Sequence, residues 1–101
     1  MKLYIDTSSN QKTIVRLGEQ EEVREAQMLH SQVVLPMLQK LLRATHHELS
    51  DITEIEINPG PGSFTGLRVG AAIANALGYA LHVPVNGKRP DKLEIVEPVY
   101  E

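Results

Sequence analysis

Apolar positions recur along this chain with two different periods. From Lys2 to Asp6, Leu3 and Ile5 alternate with Lys2, Tyr4 and Asp6, which predicts a strand with one face wetter than the other. Thr7 to Gln11 are turn formers, and Thr13 to Leu17 reads as the returning strand of a hairpin. After a Gly18-Glu19-Gln20 turn, residues 21–26 admit two readings. Val23 and Ala26 would suit a helix, and a third meander strand fits equally well. From about His30 to His46 the period becomes helical: Val33, Val34, Met37, Leu38, Leu41 and Leu42 follow i, i+3, i+4. Gln32, Gln39, Lys40 and Arg43 leave only a narrow polar stripe, and Leu35 widens the apolar arc. So apolar a helix predicts cover on two sides, by its own sheet and by another chain. Pro36 falls inside it, in an early turn or at a kink. Leu49 to Thr53 is a connection, and Glu54 to Asn58 alternates as a strand should.

The next stretch, Asn58 to Gly87, organises the rest. Its Pro/Gly opening, Asn58 to Gly62, cannot be crossed by helix or strand. Ser63 and Thr65 place hydroxyls where a helix N-terminus uses them, and the helix that follows ends before Pro84. Along it Gly66, Gly70, Ala74 and Gly78 recur at i+4, so one stripe carries almost no side chain. Each interior glycine costs a helix roughly 1 kcal/mol relative to alanine, and such a stripe predicts close approach by another backbone. Arg68, Asn75, Tyr79 and His82 carry the polar groups. A short strand around Val83 to Val85 completes the order β-β-β-α-β-α-β. That order gives an α/β fold with a five-stranded mixed sheet, the last two strands parallel to the first.

Composition narrows the classes. The chain has 101 residues, 42% hydrophobic and 23% charged, the profile of one small globular domain. No apolar run approaches the ~20 residues that span a bilayer. An acid at Asp6 comes too early for a signal peptide. The absence of cysteine excludes disulfides and thiolate chemistry and suits a cytoplasmic protein. A net charge of −3 argues against a dedicated polyanion-binding surface.

Gly60-Pro61-Gly62-Ser63-Phe64-Thr65-Gly66-Leu67-Arg68-Val69-Gly70 resembles the signature segment of the TsaB (YeaZ) family of tRNA threonylcarbamoyladenosine synthesis. Asp6-Thr7-Ser8, His30-Ser31 and Leu35-Pro36 resemble that family's other landmarks in the same order. The resemblance covers residues 1–87. It favours a strand for residues 21–26, and it implies one lobe of the actin-like, RNase H-like architecture. Members of the family carry a second lobe after the position of Asn86. Here Lys88 to Glu101 resembles the family's C-terminal tail joined directly to the first lobe. The domain expectation is therefore a lobe over 1–87 and a tail over 88–101, the second lobe being absent. Both helices should lie on one face of the sheet. Glu54, Glu56, Lys2, Tyr4 and Asp6 should then face water on the other.

Candidate chemistry is sparse. Gly60, Gly62 and Ser63 before a helix could cradle an anion, since free N–H groups and the helix dipole point the same way. Without a lysine or the full phosphate-loop pattern, a tight turn is the plainer reading. Asp6, Thr7 and Ser8 stand where actin-like kinases hold phosphate and metal, but Ser8 replaces the glycine that lets backbone approach a phosphate. His46-His47-Glu48 marks a helix end, where imidazoles meet terminal carbonyls. His30 and His82 are isolated, and no metal site is expected. The glycoprotease (M22-like) label attached to the family finds no Ser/His/Asp arrangement here. Lys88-Arg89 could touch RNA, but two charges give little affinity.

What is left is apolar: two helices suited to pairing with another protein. The resemblance implies a non-catalytic scaffold that docks through them on TsaD, the catalytic threonylcarbamoyl transferase. The TsaE ATPase would join the assembly, tRNA would be engaged indirectly, and the chain alone would form a homodimer through the same face. The candidate interface is Leu35, Leu38, Leu42, Gly66, Gly70, Ala74, Gly78 and Tyr79. No cofactor is expected for this chain alone, ATP or ADP being admitted at most at the complex interface. The alternative is a nucleotide-binding remnant of an actin-like ATPase lobe using Asp6 to Ser8 and Gly60 to Ser63.

Overall fold

A computed structural model describes residues 1–25 and 30–99. Four strands form one mixed sheet: β1 (Lys2–Asp6), β2 (Thr13–Leu17), β3 (Gln20–Arg24) and β4 (Glu54–Ile57), in the order β3-β2-β1-β4. β1 pairs antiparallel with β2 and parallel with β4, and β2 pairs antiparallel with β3. The alternation read from the sequence sets the register. Leu3 lies beside Leu17 and Ile55, and Ile5 beside Val15 and Ile57, so six apolar side chains share one face. All six are at most 3% exposed.

Both helices cover that face. α1 (His30–Thr45) packs on β2 and β3, and α2 (Phe64–Leu81) on β4 and β1, with the two helices touching each other. Val34, Met37, Leu38, Leu41 and Leu42 supply the core from α1, and Ala71 and Ala74 from α2. The opposite face is the wet one. Lys2 pairs with Glu56 at 2.5 Å, Arg16 pairs with Glu21 at 2.8 Å, and Arg16 lies over the Tyr4 ring. These are cross-strand neighbours, so the polar face is tied together across the strands.

The stretch with two readings is a strand, β3, which begins at Gln20. It starts one residue before the expected 21–26, at a Gln20 assigned to the turn, and ends at Arg24, before Glu25; Ala26 lies outside the described residues. The expected fifth strand contracts to a single bridge, Val85 beside Ile55 in parallel. The chain turns back too soon for more. Val85 and Lys88 exchange both backbone hydrogen bonds, at 2.8 and 2.9 Å. Between them Asn86 and Gly87 take φ of 47° and 80°, the positive pair that a tight I′-type reversal requires and that Asn-Gly adopts readily.

Helix ends follow their local chemistry. Ser63 caps α2, its hydroxyl accepting from Gly66 N–H at 3.3 Å; Thr65 is already inside the helix. His82, left-handed at φ 57°, closes it. α1 ends before a left-handed His46, with His47 N–H donating to the Leu42 carbonyl at 3.0 Å. Backbone N–H groups serve those carbonyls, joined at α1 by the Thr45 hydroxyl, which donates to the Leu41 carbonyl at 2.8 Å, and the His47 ring turns to Asp51 instead. Pro36 lies within α1, exposed. Beyond Lys88 the chain makes a short 3-10 helix, Pro90–Lys92, and then an irregular segment held to α2 through Asn75 and Val96. Pro90 and Val96 are buried there, and Val99 N–H donates to the Pro59 carbonyl at 2.7 Å.

Candidate functional site

The structure gathers the polar candidates at the C-terminal ends of β1 and β4. Asp6 closes β1, and Asn58 follows β4. Asp6 Oδ1 accepts from Ser8 N–H at 2.9 Å and from Ser8 Oγ–H at 2.6 Å. Asp6 Oδ2 accepts from the Tyr4 hydroxyl at 3.3 Å and from Asn58 Nδ2 at 3.4 Å. Burial pushes the Asp6 pKa up, but the hydrogen bonds from Ser8, Asn58 and Tyr4 outweigh it, and the carboxyl sits below its ordinary range. The sequence points to Asp6, Thr7 and Ser8 but not to Tyr4 and Asn58, which donate to Asp6 and, for Asn58, also to Ser8 at 3.1 Å. The strand alternation, which puts Tyr4 on the Asp6 face, was the available signal.

The anion-cradle candidates lie against this cluster. Ser63 N–H donates to the Ser8 carbonyl at 2.7 Å, and Gly60 N–H to Asn58 Oδ1 at 3.0 Å. Thr7 is 2% exposed, and its hydroxyl donates to the Gly66 carbonyl at 2.6 Å. His30 is buried at the start of α1, with Nδ1 against Thr13 Oγ1. Thus Asp6, Thr7, Ser8, Gly60, Gly62 and Ser63 lie close together, with Gly62 packed on Ser8, and the other five bond one another or Tyr4, Asn58 and Gly66. The arrangement stitches the first hairpin to the N-terminus of α2.

The small-residue stripe meets its neighbouring backbone within this same chain. A methyl on Gly66 would overlap the Thr7 carbonyl, and one on Gly70 the Thr7 hydroxyl. A methyl on Gly78 would meet Val85 and Pro90. Ala74 is fully buried, as are Leu38 and, nearly, Leu42. The expected interface is therefore corrected. Gly66, Gly70, Ala74, Gly78, Leu38 and Leu42 are consumed by the chain's own packing, because a bare stripe lets the nearest backbone fill it. Of the eight, Leu35 (46% exposed) and Tyr79 (60%) face outward.

A different stripe of α2 faces outward: Ala72, Ala76 and Ala80 are exposed, flanked by the half-buried Val69, Ile73 and Leu77. Arg68 is the helix's one charged residue and lies 5.5 Å over the Phe64 ring. Thr65, Arg68, Val69 and Ala72 line a shallow groove on this surface. The sequence did carry the signal, since these alanines repeat at i+4 just as the glycines do.

Asn75, expected on a polar stripe, grips the C-terminal segment. Its Nδ2 donates to the Val96 carbonyl and its Oδ1 accepts from Val96 N–H, each at 3.0 Å. His82 stands 3.6 Å from Asp91, which Arg89 holds by two hydrogen bonds of 2.9 and 3.0 Å. The Arg89 guanidinium keeps the Asp91 carboxyl at a pKa of about 2. Among the described residues, no three His, Cys, Asp or Glu side chains are placed to share a metal ion. No helix among them is long and apolar enough to cross a membrane.

Residues 22–87 match the family described as "TsaD: tRNA N6-adenosine threonylcarbamoyltransferase". The tRNA threonylcarbamoyladenosine biosynthesis protein TsaB of Haemophilus influenzae is 37% identical over 86 residues, 82% of this chain and 36% of that protein. The protein of the same name from Bacillus subtilis is 32% identical, over 98% of this chain and 49% of its own length. The fold superposes on YeaZ from Pseudomonas aeruginosa with a TM-score of 0.74 at 31% identity, over 83% of this chain and 42% of the other. The chain thus spans between about a third and a half of the length of these relatives.

Proposed function

The chain belongs to the TsaB (YeaZ) family, and from that premise we propose that it serves tRNA threonylcarbamoyladenosine biosynthesis as a non-catalytic scaffold docking on TsaD. The observation that carries the reading is the outward face of the helical layer. α2 presents Val69, Ala72, Ile73, Ala76, Leu77 and Ala80 with no charge among them, and α1 adds an exposed Leu35. Alanines at i+4 let a partner helix approach closely, within the 8–10 Å typical of packed helices. Phe64 and Tyr79, both more than half exposed, provide aromatic anchors towards its two ends.

The polar candidates fit a structural part in this scheme. Asp6, Ser8, Asn58 and Thr7 bond one another and the start of α2, so they shape the helical layer that docks. The catalytic step belongs to the partner, and TsaE and tRNA are engaged through it. In the partner's absence the same face pairs two copies of this chain. The test is co-purification of this chain with the TsaD of the same organism. Stable co-elution supports the scaffold reading, and separate elution under low salt contradicts it.

One observation favours a second reading, a nucleotide-binding remnant. Asp6 to Ser8 and Gly60 to Ser63 meet at the C-terminal ends of parallel strands, where α/β sheets bind ligands. Calorimetric titration with ATP separates the two: measurable heat supports the remnant, and none at millimolar ATP removes it.

A further inference from the structure

The chain holds four asparagines, at 10, 58, 75 and 86, and Asn86 alone precedes a glycine. The glycine matters because its unhindered backbone nitrogen can reach the side-chain carbon of the asparagine before it. Asn58 precedes a proline, whose nitrogen carries no hydrogen, while Asn10 and Asn75 precede the bulkier Gln11 and Ala76. Asn86 and Gly87 are exposed at the tip of a tight turn, with open space on the side of Gly87 where a side chain would stand. The Asn86 amide, however, is occupied at both ends. Its Oδ1 accepts from Ile57 N–H at 2.8 Å, and its Nδ2 donates to the Ile57 carbonyl at 3.2 Å. The side chain thereby extends by one rung the pairing of residues 84–86 along β4.

We propose that Asn86–Gly87 is a site of spontaneous deamidation whose rate is governed by this two-bond clamp on Ile57. In the reaction the Gly87 nitrogen attacks Asn86 Cγ. The new C–N bond forms as the Cγ–Nδ2 bond breaks, and Nδ2 leaves as ammonia with the proton given up by Gly87. Water then opens the cyclic imide at either carbonyl, giving aspartate or isoaspartate, and no oxidant or cofactor is needed. Turning Cγ onto the Gly87 nitrogen gives up both bonds to Ile57, so the reaction waits on local opening of the sheet edge. The product cannot close the clamp again. A carboxylate has no N–H for the Ile57 carbonyl, and isoaspartate also lengthens the backbone inside the Val85–Lys88 turn. Conversion therefore releases the edge irreversibly.

The test ages the full chain at mildly alkaline pH, with and without denaturing urea, and follows the Asn86 peptide by mass spectrometry and isoaspartyl methyl labelling. Asn86 should convert at least about ten-fold more slowly in the folded chain than in urea, since opening of the edge limits it. Peptides holding Asn10, Asn58 and Asn75 should stay largely intact. Equal rates in the two conditions overturn the clamp, and no conversion in urea overturns the site. In Asn86→Asp, amide exchange at residues 85 and 86 should quicken while β1 and β2 stay protected. Unchanged exchange there would contradict the predicted release.

Discussion

Thr7 donates its hydroxyl to the Gly66 carbonyl at 2.6 Å across 59 positions of sequence, and Gly70, one turn further along α2, leaves room for that hydroxyl. Gly70→Ala gains up to ~1 kcal/mol of helix propensity but drives a methyl into Thr7. The expected net effect is a loss of about 1–3 kcal/mol in urea unfolding. Pairing it with Thr7→Ala should recover part of that loss, a coupling that a double-mutant cycle measures.

Ala74→Arg and Ala76→Arg should behave as opposites although they lie two residues apart. Ala74 is fully buried, and an arginine there leaves a charge without a partner in the core, costing more than about 4 kcal/mol. Ala76 is exposed, and its replacement should move stability by no more than about 0.5 kcal/mol. Thermal unfolding followed by circular dichroism distinguishes them.

Asn75→Ala should free the C-terminal segment without unfolding the lobe. Both bonds to Val96 disappear, and Val96 N–H loses its acceptor, at a cost of about 1–3 kcal/mol. Hydrogen exchange at Val96 should rise sharply while the β1 amides keep their protection. Equal protection of Val96 in both chains would deny the clamp its role.

β1, β2, β4 and the limits of α2 were legible because each rests on local rules. Leu3 and Ile5 alternate, Ser63 caps, and Pro84 stops the helix from running on. The fate of the glycine stripe was not legible in the same way. Periodicity tells that Gly66, Gly70, Ala74 and Gly78 share a face, but only the tertiary fold brings Thr7 and Val85 to fill it. The fifth strand failed for a local reason that was in view: Asn86-Gly87 is a strong turn signal, and it leaves Val85 one rung. At the polar cluster the named residues did converge. Tyr4 shares a face of β1 with Asp6, which the alternation already shows, whereas Asn58 follows β4 and only the parallel register of β1 and β4 brings it to Asp6.

The Arg89–Asp91 pair gives a pH dependence of defined sign. Asp91 titrates at about 2 in the folded chain, below its unfolded value, so its contribution is present above about pH 4 and lost as pH falls towards 2. Asp91→Asn should therefore lower Tm at neutral pH and match the parent chain near pH 2. A difference between the two that stays constant across this range would contradict the pairing.

In the proposed docking on TsaD, the contact falls on the outward stripe of α2 and not on the buried glycine stripe. Titration of TsaD with the parent chain and with Ala76→Arg, the latter confirmed as folded, measures this contact. Affinity should weaken by about thirty-fold or more, equivalent to at least ~2 kcal/mol. Undiminished binding by a folded Ala76→Arg chain would place the contact elsewhere and rule out docking through this stripe.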